Sequence, residues 1–90
     1  GPGPYRIDNI RADFTLTYTN NGFAGAVRGF GATQTCYACE RHMDLIARRL
    51  NMDPLELRRR NALKTGDPAH SGDEITSCGL AETIAGAARR

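Results

Sequence analysis

Apolar and polar residues alternate along the first part of the chain and later recur at helical spacing. Phe14, Leu16 and Tyr18 lie on one side of the alternating stretch, and threonines separate them. Aromatic and β-branched residues at a period of two are typical of a β-strand. We therefore predict a strand or hairpin over about residues 5–19 and a glycine-rich loop over 20–32.

From Thr33 onward the apolar positions recur every three or four residues, which is the spacing of one helix face. This face comprises Cys36, Cys39, Met43, Ile46, Ala47 and Leu50. The pattern predicts a first helix over about residues 33–51. Asp44 and Arg48 fall elsewhere on its surface, where an i,i+4 pair of this polarity is favourable.

A second helix is predicted over about residues 53–64. Asp53 is suited to cap it, Pro54 suits its first position, and Glu56 can reach back as in a capping box. The helix should end before Gly66. The local chemistry of this segment is therefore sufficient to predict where the helix begins.

A third helix is predicted over about residues 77–89, with Ser77 as its cap. The resulting fold class is α+β: one N-terminal strand or hairpin, a glycine-rich loop and three helices. A single strand cannot satisfy its own backbone edges, so it must pair with another segment or another chain. Residues 1–90 are therefore interpreted as a single segment of a larger domain.

Composition restricts the classes of function. The chain has 90 residues, a formal net charge of +2 and three cysteines. That charge is too small to indicate nucleic-acid binding, and no apolar run approaches the roughly 18 residues that a membrane span requires. The cysteines are few and odd in number, which argues against a secreted disulfide framework and favours a location in the reducing cytoplasm.

The cysteines allow two interpretations. Cys36 and Cys39 lie one turn apart, and with His42 and Cys78 they could form the ligands of a small zinc module. Cys36 and Cys39 also belong to the apolar face of the first helix, where a free cysteine behaves as a small buried hydrophobic residue. We favour core packing, and a stand-alone binding or zinc module is the alternative.

The glycine-rich loop has its own candidate chemistry. Arg28-Gly29-Phe30-Gly31 follows the predicted strand and precedes the first helix, so its backbone N–H groups could face an anion. It lacks the sequence of a P-loop and of a dinucleotide-binding turn. Phe30 offers a stacking surface and Arg28 a fixed positive charge. A ligand-facing loop and a plain connector are both compatible with these residues.

Several short motifs follow one another along almost the whole chain. They are Gly-Pro-Tyr at 3–5, Tyr-Thr-Asn at 18–20, Gly-Ala-Val-Arg-Gly-Phe-Gly at 25–31, Gln34, Glu40, Met-Asp at 43–44, Met-Asp-Pro-Leu-Glu-Leu-Arg at 52–58, Asn61, Gly66 and Ser-x-Gly-Leu at 77–80. This ordered series resembles an internal segment of the large molybdopterin-binding subunit of the molybdenum hydroxylases, the xanthine dehydrogenase and aldehyde oxidase family.

The resemblance implies an oxidoreductase that hydroxylates N-heterocycles or aldehydes with oxygen from water. It places Arg28, Gly29, Gly31 and Gln34 at the cofactor and Phe30 against the substrate. The intact enzyme would hold molybdopterin or molybdopterin cytosine dinucleotide with molybdenum. Iron–sulfur clusters and FAD would belong to other domains or subunits.

The same resemblance assigns no catalytic residue and no metal ligand to this segment, so we expect the isolated 90 residues to be inactive and to bind no cofactor. The expected partners are the remainder of the large subunit, the iron–sulfur and flavin components, and a small aromatic heterocycle or aldehyde. Nucleic acid and membrane are not expected partners. The exposed apolar surface of the isolated segment should favour self-association. A helical interaction module whose strand pairs with a partner is a further alternative.

Overall fold

Three helices form the regular secondary structure of the computed structural model, which describes residues 2–89. They are α1 (Ala32–Arg49), α2 (Pro54–Asn61) and α3 (Leu80–Ala88). The prediction of three helices after a glycine-rich stretch is therefore confirmed, although the second and third are shorter than the sequence indicates. None of the three combines the length and apolar character needed to cross a membrane.

The C-terminal end of α1 is a Schellman motif. Asn51 adopts a left-handed conformation with φ of 51°, and its N–H donates to the carbonyl of Arg48 at 3.2 Å. The N–H of Met52 donates to the carbonyl of Ala47 at 2.9 Å. These bonds satisfy carbonyls that a helix end otherwise leaves without partners, and they turn the chain back toward α1.

α2 begins where its capping chemistry predicts. The carboxylate of Asp53 accepts a hydrogen bond of 2.9 Å from the N–H of Glu56, and Pro54 is the first helical residue. The reciprocal half of the capping box does not form, because the Glu56 carboxylate accepts instead from Arg60 at 2.7 Å. One side-chain cap is therefore sufficient to start this helix.

α2 ends at Asn61, earlier than the predicted 64, because the next residues pair with the N-terminal segment. Arg6 N–H donates to the carbonyl of Asn61 at 2.8 Å, and Leu63 N–H donates to the carbonyl of Pro4 at 3.1 Å. Ala62 is extended and forms an isolated antiparallel bridge with Tyr5. A contact between distant parts of the sequence thus determines the length of the helix.

The core lies where this N-terminal segment meets α1 and α2. Its buried side chains are Tyr5, Ala47, Leu57, Ala62 and Leu63. α1 packs against α2, and α2 packs against α3. Between residues 2 and 89, no charged or polar side chain is buried, so the apolar residues alone form this small core.

α3 begins at Leu80 with Gly79 as its N-cap, so the predicted start at Ser77 is wrong. Cys78, the residue after Ser77, is hydrogen-bonded to the segment that follows α2. Its N–H donates to the Thr65 hydroxyl at 3.1 Å, and its thiol donates to the Leu63 carbonyl at 3.2 Å. These bonds keep the chain extended before the helix. The predicted cap is displaced by a tertiary contact that local sequence does not reveal.

The predicted strand over residues 5–19 does not form. Apart from the bridge at Tyr5, this stretch has no regular secondary structure, and Phe14, Leu16 and Tyr18 are almost fully exposed. A strand requires a neighbour to accept and donate its backbone hydrogen bonds. No such neighbour lies in the described part of the chain, so the strand component of the predicted α+β class is not confirmed.

Candidate functional site

A tight turn at residues 28–31 leads directly into α1; we call it the 28–31 turn. Gly29, Phe30 and Gly31 have φ values of 96°, 49° and 93°, which is three left-handed residues in succession. Phe30 N–H donates to the carbonyl of Val27, and Ala32 N–H donates to the carbonyl of Gly29, both at 2.9 Å. The turn is therefore hydrogen-bonded to both the preceding segment and the helix.

Glycine is required in this turn for its backbone conformation rather than for space. A Cβ at Gly31 would meet no atom within 4 Å, and one at Gly29 would meet only a Thr33 methyl group at 4.0 Å. Positive φ is nevertheless costly for any residue with a Cβ. Phe30 adopts φ of 49° between the two glycines, and an aromatic residue held in this region is an uncommon feature that often marks function.

The side chains of the turn point away from the core. Phe30 is 88% exposed, and Arg28 is exposed without an ion pair to any of residues 2–89. The aromatic face is therefore free for stacking, and the guanidinium is free to bind an anion or a carbonyl oxygen. The structure thus places two of the predicted site residues together on one exposed turn.

The N-terminus of α1 adds a partial positive charge beside Arg28. Gly31 caps the helix without a side chain, and the first turn contains no acidic residue. The first helical bond is from Thr35 N–H to the Gly31 carbonyl at 2.9 Å, which leaves the Thr33 and Gln34 N–H groups without a partner among residues 2–89. Free N–H groups and the helix dipole favour a negatively charged group here.

Gln34 lies in this first turn, but its side chain does not brace the 28–31 turn. Its Oε1 atom accepts a hydrogen bond of 2.9 Å from the Thr33 hydroxyl, and both residues are exposed. The amide is therefore at the helix N-terminus, and its nitrogen makes no hydrogen bond to a residue of the turn. A role in binding would have to be toward a ligand.

A second polar group of residues, which we call the Glu40 network, joins three parts of the chain. The Tyr5 hydroxyl donates to Oε1 of Glu40 at 2.7 Å, and Nε of Arg58 donates to Oε2 at 2.8 Å. Arg58 also donates to the backbone carbonyl of Glu40 at 3.0 Å and pairs with Asp44 at 3.0 Å. The guanidinium thus binds two carboxylates, one turn apart on α1, from its position on α2.

Burial and hydrogen bonding within the Glu40 network shift two proton affinities. The pKa of Tyr5 is raised by burial and by its hydrogen bond to Glu40. Burial acts to lower the pKa of Arg58, but its bonds to Glu40 and Asp44 outweigh this and raise it. Both side chains therefore stay protonated and keep donating well into the alkaline range.

The Glu40 network was not predicted from the sequence. The predicted partner of Asp44 was Arg48 on the same helix, whereas Asp44 binds Arg58 of the next helix. The available signal was the i,i+4 spacing of Glu40 and Asp44, which puts two carboxylates on one face of α1. Two neighbouring carboxylates favour a cation between them, and α2 carries three arginines in succession.

The four residues of the alternative zinc module do not come together. Cys36 is exposed on α1, Cys39 donates its thiol to the Pro2 carbonyl at 3.2 Å, and Cys78 donates to the Leu63 carbonyl. Burial is the main cause that raises the pKa of Cys39, which disfavours the thiolate that zinc requires. No group of three His, Cys, Asp or Glu side chains in the described residues could hold a metal ion.

Residues 1–62 match the family described as the molybdopterin cofactor-binding domain. The chain is 52% identical over 65 residues to a probable xanthine dehydrogenase component of Bacillus subtilis, covering 72% of this chain and 9% of that protein. It is 41% identical over 83 residues to the nicotinate dehydrogenase large molybdopterin subunit of Eubacterium barkeri, covering 91% of this chain and 20% of that protein.

A third relative is the aldehyde oxidoreductase of Megalodesulfovibrio gigas, 46% identical over 80 residues, covering 89% of this chain and 9% of that protein. The chain therefore spans a fifth or less of the length of these three relatives. The range matched by the family, residues 1–62, spans the 28–31 turn and the Glu40 network residues Tyr5, Glu40 and Arg58.

Proposed function

This chain belongs to the molybdopterin cofactor-binding domain family, and on that premise we propose that it supplies one ligand-facing turn to a molybdenum hydroxylase. The enzyme would hydroxylate an N-heterocycle or an aldehyde with oxygen taken from water. The observation that carries the proposal is the 28–31 turn. Three of its residues, Gly29, Phe30 and Gly31, are left-handed, and the turn exposes Arg28 and Phe30 at a helix N-terminus that has no side-chain cap.

Each residue of the turn has a proposed role. Gly29 and Gly31 allow the backbone to pass close to the cofactor, and Arg28 presents its amide and its positive charge there. Phe30 stacks on an aromatic substrate ring, for which its exposed face is suited. Gln34, at the helix N-terminus, is proposed to contact the cofactor through its amide nitrogen, since its Oε1 atom accepts from the Thr33 hydroxyl.

The donor chemistry of this site fits an anionic cofactor. The exposed guanidinium of Arg28, the free N–H groups of the first turn of α1 and the absence of an acidic residue from that turn all favour negative charge. Molybdopterin carries a phosphate, and its bound molybdenum would supply the oxygen transfer to carbon and accept two electrons. The chain's own residues bind, orient and stack.

Other parts of the reaction are proposed to come from outside this segment. Glu40 is bound to Tyr5 and Arg58, and Glu56 is paired with Arg60, so neither is a free base beside the turn. We therefore propose that the remainder of the large subunit supplies the catalytic base. Iron–sulfur and flavin components would carry the electrons away, and the isolated 90 residues would be inactive.

The proposed location is the cytoplasm. All three cysteines are free thiols, which is the state a reducing compartment maintains. The relatives' names include both an N-heterocycle and aldehydes as substrates, and we propose those two classes for this chain's enzyme as well.

Substitution in the complete, reassembled enzyme tests the proposal. Phe30→Ala should raise KM for an aromatic heterocycle by about fivefold, since a lost aromatic contact is worth about 1 kcal/mol beyond its area. It should have a smaller effect on a short aliphatic aldehyde. Arg28→Ala should lower kcat/KM for both substrates while retaining the backbone amide.

Two exposed residues outside the turn provide matched controls. Phe23→Ala removes a phenylalanine side chain from the segment before the turn, and Arg41→Ala removes an arginine side chain from α1. We expect both to retain wild-type kinetics and molybdenum content. Unchanged kinetics in Phe30→Ala and Arg28→Ala, with molybdenum bound, would contradict the proposed role of the turn.

A further inference from the structure

We propose that the Glu40 network positions the 28–31 turn, so that Tyr5, Glu40 and Arg58 affect the reaction without touching the cofactor or the substrate. This inference rests on the proposed function of the turn. It concerns the residues that determine where α1, and therefore the turn at its N-terminus, is held.

The turn is hydrogen-bonded directly to α1. Ala32 N–H donates to the carbonyl of Gly29 and Thr35 N–H donates to the carbonyl of Gly31, both at 2.9 Å. Any tilt of α1 therefore displaces Phe30. Glu40 is eight positions after Ala32, which is about 12 Å along a helix axis.

The N-terminal half of α1 has few other contacts within residues 2–89. Most of its side chains from Ala32 to Ala38 are exposed, and Thr35 alone is half-buried. The contacts nearest to the turn come from the N-terminal segment. Tyr5 binds Glu40, and Cys39 donates its thiol to the Pro2 carbonyl at 3.2 Å.

The N-terminal segment fits against α1 closely enough to fix its position. A Cβ at Gly3 would lie 2.8 Å from the Cys39 sulfur, and Gly3 itself has φ of 74°. A side chain at Gly3 would therefore be strained by its positive φ and would require the Cys39 side chain or the N-terminal segment to shift. Tyr5, two residues later, is only 4% exposed and is bridged to Ala62.

Arg58 completes the attachment from the other side. Its side chain is only 16% exposed, and its three nitrogens bind Glu40, Asp44 and the Pro54 carbonyl. A planar guanidinium that binds in several directions resists rotation of α1 more than a single ion pair does. Tyr5 and Arg58 together thus hold both oxygens of one carboxylate at the middle of the helix.

Small tilts about this point have large effects at the turn. A rotation of about 5° at Glu40 moves a point about 12 Å away by about 1 Å, and a misplacement of that size can reduce a rate by about a hundredfold. We expect a smaller change, about tenfold in kcat/KM, because other parts of the subunit also contact the turn.

The test is a double-mutant cycle in the complete enzyme, with kcat, KM and molybdenum content measured for each variant. Tyr5→Phe removes one hydroxyl and should raise KM for the aromatic substrate at unchanged molybdenum content. If Tyr5 acts through Phe30, then Tyr5→Phe combined with Phe30→Ala should be no worse than Phe30→Ala alone. Glu40→Gln provides a second variant that keeps the shape of the network.

Two controls and three outcomes make the test decisive. Tyr37→Phe removes an exposed hydroxyl from α1, and Arg60→Met breaks an ion pair that lies within α2; both should leave kinetics unchanged. Fully additive effects of Tyr5→Phe and Phe30→Ala, or a loss of activity that follows molybdenum content, would overturn the positioning role. No effect of Phe30→Ala by itself would instead refute the proposed function of the turn.

Discussion

The Tyr5 hydroxyl donates a hydrogen bond of 2.7 Å to the Glu40 carboxylate, although 35 positions separate the two residues. This bond attaches an N-terminal segment without regular structure to the middle of α1. The same carboxylate binds Arg58 of α2, so one side chain connects three segments. The chain has a small apolar core, and this polar contact lies directly beside it.

Tyr5→Phe should lower the free energy of unfolding by about 1.5 kcal/mol, because a hydrogen bond to a charged group is lost while the ring stays buried. Urea unfolding monitored by circular dichroism measures the change. Tyr37→Phe, at an exposed tyrosine on α1, should leave stability unchanged. Equal stabilities of Tyr5→Phe and wild type would show that the bond contributes nothing net.

The raised pKa of Tyr5 predicts a specific loss of stability at alkaline pH. Its ordinary value is 10.0, and burial followed by the Glu40 hydrogen bond raises it in the folded chain. Below about pH 10 the Tyr5 hydroxyl is protonated in both the folded and the unfolded chain, so it adds no pH dependence to the free energy of unfolding. Above that pH the unfolded state releases the proton first, so the free energy of unfolding falls as pH rises.

Urea titrations at several pH values between about 9 and 11 test this behaviour. Wild type should lose stability more steeply than Tyr5→Phe, which lacks the titrating group. Tyr18→Phe, at an almost fully exposed position, should follow wild type. Parallel profiles for wild type and Tyr5→Phe would contradict the prediction.

Local chemistry was sufficient to predict some elements and not others. Asp53 caps α2 as predicted, because an N-cap depends on a residue three positions away. The end of α2 was not predictable from local sequence, since Ala62 is extended only because it pairs with Tyr5. The same applies to α3, whose start depends on the bond between Cys78 and Thr65.

The failed strand prediction has a different physical cause. The alternation of Phe14, Leu16 and Tyr18 indicates a surface that suits a sheet, but alternation does not supply a neighbouring strand. At the candidate site, the glycines indicated an unusual backbone. The left-handed conformation of Phe30 was not predictable, because residues with a Cβ rarely adopt it.

Two alanine substitutions of glycine should have opposite effects. Gly31→Ala should destabilise the chain by about 1 kcal/mol, because its φ of 93° disfavours a Cβ although the surrounding space is empty. Gly86→Ala, inside α3 and equally uncrowded, should stabilise it by up to about 1 kcal/mol. Thermal unfolding of both variants provides the comparison, and a shift of the same sign in both would contradict this account.

Asn51 offers a further test of backbone conformation. It holds φ of 51° at the end of α1, where glycine is usually preferred. Asn51→Gly should raise the free energy of unfolding by a few tenths of a kcal/mol, and Asn51→Ala should lower it by about 1 kcal/mol. Chemical unfolding of the pair measures both changes, and a more stable alanine variant would argue against the Schellman motif.

The exposed apolar side chains of the 5–19 stretch predict self-association of the isolated chain. Phe14, Leu16 and Tyr18 are almost fully exposed, and a patch of this kind tends to find another apolar surface. Replacing these three with serine should weaken association. Replacing Thr15, Thr17 and Thr19, which occupy the alternate positions, with serine should leave association unchanged. Light scattering over a concentration series measures the mass, and a wild-type chain that stays monomeric at high concentration would refute the prediction.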